Sequence, residues 1–504
     1  MFPRRSALLI AALSTALLSA CSAIRYQPLP TISKITPDQG YRLETAQKNR
    51  RQDDTFIVLM FSGGGTRAAA LGYGVLEQLN QQKVTISGEE KSLLENVDLV
   101  VGVSGGSVLA TYFSLQGSQT IPLFYKRFLR QNFQKQVLKQ AFSLANIPRL
   151  TSPEFGRGDL LQEQFELYLF GKATFEDLEK RRKGPFAIIT ATDMGLGERL
   201  NFTQEYFDPM CLNLSKLRLA RAVAASSAVP MIFSPITLNN HGGNCNYTLP
   251  QRMQAAMAQG NTQQQNKTRQ ELGNNIKQYS DSSKRPYIHL LDGGLTDNLG
   301  MRSLLDMNDL YSGNMLVQQM ANRKIRRIVV ISVNAQNRES RTLDETAAVP
   351  GLRDVVNAVI DIPIAKYSQE SLRRFREFTD RWNADGYKGP DGQPISLSFV
   401  SLNLKDLPDP AFRQKVLNIP TSFYLPPQDV DDLRHAAAEL MKHSQEYRRL
   451  LQTLSARPNE EILLAPLEKV SEDDLKSLPP ATLPDAEEFN AVNQMPDETF
   501  SIQP

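Results

Sequence analysis

VVGVSGGSVLA, residues 100–110, decides how this chain is read. A β-branched run enters Gly102-Val103-Ser104-Gly105-Gly106 and leaves into helix-favouring residues, so a strand meets a helix at a turn holding one serine among glycines. A nucleophile at a sharp strand-to-helix turn needs small neighbours, because the backbone is strained and the flanking positions crowd the strand and helix beside them. The helix that follows aims backbone NH groups at the serine oxygen, where negative charge would develop. The same grammar occurs upstream: the apolar run TFIVLMF (55–61) enters SGGGT and then RAAALGYGVLEQLNQ. Strand, glycine turn and helix repeated in this way imply an α/β fold with a largely parallel sheet and functional turns at the strand C-termini.

A serine so placed needs a base. In a Ser-His-Asp hydrolase the histidine stands in a turn near the C-terminal end. Of the four histidines, His435 and His443 lie in DVDDLRHAAAELMKHSQEYRRLLQTL, whose period and charge read as a helix surface. His289 alternates with Asp292 in YIHLLDGG and so faces the other side of a strand. His241 completes the set, and none sits in a turn of the kind required. Asp292 ends an apolar strand and is followed by Gly293 and Gly294, so its carboxylate is expected at the edge where Ser104 emerges. The bland alternative is a structural aspartate in a strand-end turn. A dinucleotide fingerprint is formally met by Gly63-x-Gly65-x-x-Ala68 with Glu89 or Glu90 downstream, but it accounts for neither Ser104 nor Asp292.

With three such elements in order, the sequence resembles the patatin-like phospholipases. The elements are a glycine-rich loop with an arginine, Gly63-Gly64-Gly65-Thr66-Arg67, the elbow from Gly102 to Gly106, and Asp292-Gly293-Gly294. AVAASSAVPMIFSPI (222–236) is similar to the family's small-residue helix leading to a proline and a strand. Ser62 stands where many members have aspartate and Ala68 where many have glycine; neither removes a backbone NH. The resemblance covers residues 55–300 and, more weakly, the chain to 456. It implies a three-layer α/β fold with a largely parallel central sheet flanked by helices. It further implies a Ser104–Asp292 catalytic dyad, an oxyanion and substrate-binding loop of Gly63, Gly64, Gly65 and Arg67 with the oxyanion held by NH groups around Gly64 and Gly65, hydrolysis of a fatty-acyl ester through an acyl-enzyme, and no cofactor. An acyltransferase using the same dyad, or a catalytically silent lipid-binding lipoprotein, are the alternatives. A free aspartate titrates near 3.9, so Asp292 needs a sheltered site to act as a base. Arg67 either attracts a phosphate headgroup or braces the helix start through backbone carbonyls, and bracing is favoured.

Outside these motifs the 504 residues have an ordinary globular composition, and a net charge of +3 carries no nucleic-acid footprint. Residues 1–20 read as a signal peptide: Arg4 and Arg5 precede an apolar run too short to span a bilayer, closed by Leu18-Ser19-Ala20-Cys21. Cys21 is the expected lipidation site, with Ser22 favouring an outer-membrane lipoprotein facing the periplasm. The expected partners are therefore membrane lipids, as anchor surface and substrate. Cys211 and Cys245 remain, free to be bridged or left as thiols. Residues 21–54 read as a tether, 55–456 as the domain, 252–284 as a mobile polar insertion, 341–456 as a C-terminal completion, and 457–504 as an acidic, proline-rich tail. Residues 124–142 form a basic amphipathic stretch, which suits either a core-packed helix or one lying on an anionic membrane. No His, Asp and Glu cluster has metal-ligand spacing.

Overall fold

Among the described residues of a computed structural model, ten strands organise the chain: β1 Thr55–Phe61, β2 Lys83–Ile86, β3 Glu89–Ser92, β4 Val97–Val103, β5 Phe186–Asp193, β6 Glu198–Asn201, β7 Ile236–Asn239, β8 Tyr287–Asp292, β9 Arg327–Asn334 and β10 Ser396–Asn403. The residues described are 28–48, 53–258, 263–307, 309, 325–336, 347–389, 391–458, 464, 474–475, 478 and 480–481. The signal peptide, Cys21 and nearly all of the tail beyond residue 458 lie outside them.

The main sheet runs β10-β9-β1-β4-β5-β8-β7, with β6 beside β5, while β2 and β3 form a separate hairpin. From β10 to β5 every pairing is parallel. β1, β4, β5 and β9 are apolar almost throughout and buried, as strands covered on both faces must be. The flanking helices include α1 Gly65–Gln81, α2 Gly105–Gln116, α3 Phe133–Ala141, α4 Arg157–Phe165, α5 Leu219–Ser226, α6 Gln263–Tyr279, α7 Leu352–Asp385 and α8 Pro427–His443. β9 and β10 join the main sheet, at the edge beside β1. α8 is locked onto α1 by Arg434, whose Nε and Nη2 donate to Glu77 at 2.8 and 2.6 Å in a buried, two-pronged pair.

The fold adds detail to the sequence reading in four places. β8 and β7 are antiparallel to their neighbours, so the sheet is mixed at one end. The polar insertion contains helices, Gln251–Ala258 and α6, and α6 is pinned by Tyr279, whose hydroxyl donates to Asp193 Oδ2 at 2.9 Å. Arg285 Nη2 donates to both oxygens of the same buried carboxylate. Part of the expected tether packs on the domain: Tyr41 is buried, stacks on Phe186 and donates to Ala187 O. Single anchoring residues in an aperiodic segment leave no pattern to read. The basic stretch, finally, is not one helix; a π-helical turn at Tyr125–Leu129 ends it, and Asn132 caps α3 by accepting from Lys135 N. Cys211 and Cys245 are bridged. Among the described residues no helix is long and apolar enough to cross a membrane.

Arg434→Met would leave the Glu77 carboxylate buried without its partner. The expected result is a loss of about 3–5 kcal/mol in urea unfolding, with the Glu77→Met and Arg434→Met double variant recovering most of it.

Candidate active site

Ser104 lies between β4 and α2 with φ 51° and ψ −126°, a conformation that costs a non-glycine residue about 1–3 kcal/mol. Neighbouring groups hold it there. Its NH donates to Ser226 Oγ at 2.9 Å, and that hydroxyl donates onward to Thr190 O at 2.6 Å. Its carbonyl accepts from Ser107 Oγ and Ser107 N. The elbow glycines are set by close approach: a Cβ on Gly105 would stand 1.9 Å from Gly65 O, and one on Gly106 2.5 Å from Ser62 O. On Gly102 it would meet Ser107 Cα at 2.6 Å. The two glycine turns are therefore in van der Waals contact, with α1 and α2 both starting at the serine.

Asp292 reaches Ser104 by register. β8 runs against β5, pairing Leu290 with Asp193 and Asp292 with Ala191, so it begins beyond the end of β5 and descends only three paired residues. That leaves Asp292 level with the C-terminal end of β4, where Val103 pairs with Thr190. Gly293 then turns the chain against Thr190 O, where a Cβ would come within 2.2 Å. Ser104 Oγ donates to Asp292 Oδ2 at 2.7 Å, while Oδ1 accepts from Gly294 N at 2.8 Å. The Asp292 backbone is fixed as well, its NH donating to Ala228 O at 3.0 Å and its carbonyl accepting from Thr192 Oγ1 at 2.8 Å. Burial pushes the carboxyl up from 3.8 to about 6, against the opposing effect of the bonds from Ser104 and Gly294. Ser104 is 4% and Asp292 7% exposed, so the pair is shielded from water.

The glycine loop divides its work. Gly63 N donates to Asn298 O at 3.0 Å and Thr66 N to Ser422 O at 2.8 Å. Gly64, at φ 137°, and Gly65 turn between them, and among the described residues their NH groups donate to no protein acceptor. The expectation that Gly63 holds an oxyanion is thus corrected, since its NH is already engaged. Arg67 braces the loop: it is 2% exposed, with Nε on Ala335 O at 2.7 Å and Nη1 on Ile419 O at 2.8 Å. Ser62 keeps the loop in place without a carboxylate, donating to Gly63 O and accepting from Ala335 N.

No histidine touches this pair. His289 is exposed and bonds Thr237, His435 and His443 lie on the surface of α8, and His241 bonds Met210 O through its backbone. Ser226 went unread in the sequence as a functional residue. Its only signal there is a place in a small-residue helix, whereas in space it joins both turns: Oγ to Ser104 N, and O to Gly293 N at 3.1 Å.

Because the fold raises the Asp292 pKa, its ionisation opposes folding. The penalty is absent below 3.8 and grows as pH rises to about 6. Asp292→Asn should therefore be more stable than the wild type at neutral pH, by up to about 3 kcal/mol, with the difference vanishing in acid. Urea unfolding at both pH values checks this.

Residues 59–305 match the family model described as patatin-like phospholipase. Comparison with curated proteins gave no match. Among solved structures, human GIVD cytosolic phospholipase A2 is similar at 13% identity and a TM-score of 0.42, over 82% of this chain and 64% of that one. The same human protein in complex with methyl gamma-linolenyl fluorophosphonate gives 13% and 0.40, over 86% and 66%. This chain thus spans less than two thirds of the length of either. The family match takes in the glycine loop, the serine elbow and the Asp292 turn, and over residues 59–305 the chain is similar to the patatin-like phospholipase family.

Proposed function

We propose that this chain is a lipid acyl-ester hydrolase of the phospholipase or lysophospholipase type, working through Ser104 and Asp292 and held at the cell envelope by a lipidated Cys21. The observation that carries the reading is the 2.7 Å bond from Ser104 Oγ to a buried carboxylate whose pKa is raised to about 6. At neutral pH that group is ionised yet basic enough to take a proton as the serine attacks. Ser104 Oγ adds to the ester carbonyl carbon while its proton passes to Asp292 Oδ2. The NH groups of Gly64 and Gly65, with those opening α2, face the oxygen that becomes negative. The carbon–oxygen bond to the alcohol then breaks and Asp292 returns its proton to the leaving oxygen. Water adds to the acyl-enzyme by the same steps in reverse, freeing the fatty acid.

The strained serine must keep its pose through both halves, and Ser226 is what fixes it. A fluorophosphonate ester should label Ser104, located by peptide mass spectrometry; labelling confined to another serine would sink the assignment. Asp292→Asn should lower kcat by about 10²–10⁴ with the fold kept. In the wild type kcat/KM should rise with pH through a single ionisation near 6. Ser226→Ala should cost about tenfold in kcat with little change in KM, since one hydrogen bond to the strained backbone is lost. Single glutamine replacements of His289, His435 and His443 should leave most activity. Products from phospholipid, lysophospholipid and glyceride panels, read by mass spectrometry, define the substrate. Cys21→Ser should leave an unprocessed precursor.

A further inference from the structure

The helix α3 is apolar on two sides. Phe133 and Val137 are buried, with Phe133 stacked among Phe128, Phe165 and Tyr168. The opposite face carries Lys135, Leu138, Lys139 and Phe142 at helical spacing, with Leu138 46% and Phe142 83% exposed. Leu144 and Ile147 extend the exposed apolar surface past the helix end. A helix that needs only one apolar face to join the core has no folding reason to carry a second.

The stretch of chain that carries this face is basic throughout, with Arg149 paired to Glu163 of α4. No Asp or Glu occurs between Asp98 and Glu154, whereas Lys126, Arg127, Arg130, Lys135, Lys139 and Arg149 fall in that span. The outer face also abuts the catalytic loops. Leu138 and Phe142 share a shallow groove of about 460 Å³ with Tyr424. Two residues before Tyr424, Ser422 O accepts from Thr66 N, and a Cβ on Gly65 would stand 2.4 Å from that same oxygen. Phe423 between them packs on Phe165 and Phe233. The chain just before Phe233 presents a second exposed apolar pair, Met231 and Ile232.

We propose that the surface formed by the outer face of α3, the segment through Ile147 and Tyr424 docks on an anionic lipid bilayer, with Phe142 and Leu144 entering the acyl region. Large exposed apolar side chains ringed by lysine and arginine match the interfacial layering of anionic lipid, apolar beneath and negative above. The proposal rests on the reading of this chain as a lipid hydrolase for its purpose: it lays the membrane beside the loop that covers Gly65. A lipid anchor on Cys21 would hold the chain near a bilayer without orienting it, and this face supplies the orientation.

Phe142→Trp tests this in the full-length chain. The sole native tryptophan, Trp382, is buried and gives a constant background. With vesicles of phosphatidylglycerol and acyl-brominated phosphatidylcholine, emission from the new tryptophan should shift to the blue and be quenched by about twofold, while wild-type emission stays unchanged. Adding Lys135→Gln and Lys139→Gln, or raising the salt, should weaken the quenching. An unshifted, unquenched signal in anionic vesicles overturns the proposal, as does quenching indifferent to lipid charge. A blue shift that grows with protein concentration in the absence of vesicles also overturns it, assigning the face to a second copy of the chain. Fluorophosphonate labelling of Ser104 in the same preparation separates the two readings. Labelling without quenching removes the docking alone, and quenching without labelling removes the catalytic assignment.

Discussion

The hydrogen bond from Ser104 Oγ to Asp292 Oδ2 spans the place where the parallel and antiparallel parts of the sheet adjoin. Everything that fixes its length comes from elsewhere in the chain. The parallel part brings β4 to its end at Ser104, and the antiparallel β8 stops level with it because only three of its residues pair with β5. One further paired residue would carry the carboxylate below the serine. The end of α5 then ties both turns together, with Ser226 accepting from Ser104 N and Gly293 N and Ala228 accepting from Asp292 N. Because the same short segment holds both partners, a shift in one turn is transmitted to the other.

Burial of this bond does two chemical jobs. It raises the aspartate into the range where a carboxylate can serve as a base at neutral pH, a role usually given to histidine. In the proposed reaction it also keeps water from Ser104. The cost is a fold that stores backbone strain at Ser104 and an unfavourable carboxylate at Asp292. The deeply buried sheet is where the offsetting stability resides.

Much of this was legible in the sequence because the decisive constraints are local. Gly102, Gly105 and Gly106 around Ser104, and Gly293 after Asp292, mark close backbone approaches that admit no side chain, and such positions appear in one dimension as glycines. The strand-turn-helix grammar fixed β1, α1, β4 and α2 for the same reason. What stayed hidden depends on pairing across long separations. The polarity of β8 cannot be read from YIHLLD, since an apolar strand looks alike in either direction. Ser226 and Asn298 contribute through contacts more than a hundred residues away, and the Tyr41 anchor sits in a segment without period. Gly63 shows the converse: the motif marks the loop but not that its NH is already engaged by Asn298.

The central claim is that a buried carboxylate, bonded directly to the serine and attended by no histidine, is the proton acceptor. Infrared difference spectra between the wild type and Asp292→Asn, recorded across a pH series, observe that group itself. The account predicts a protonated-carboxyl band belonging to Asp292 that disappears with a midpoint near 6. A band that disappears with a midpoint near the ordinary 3.8 would contradict it.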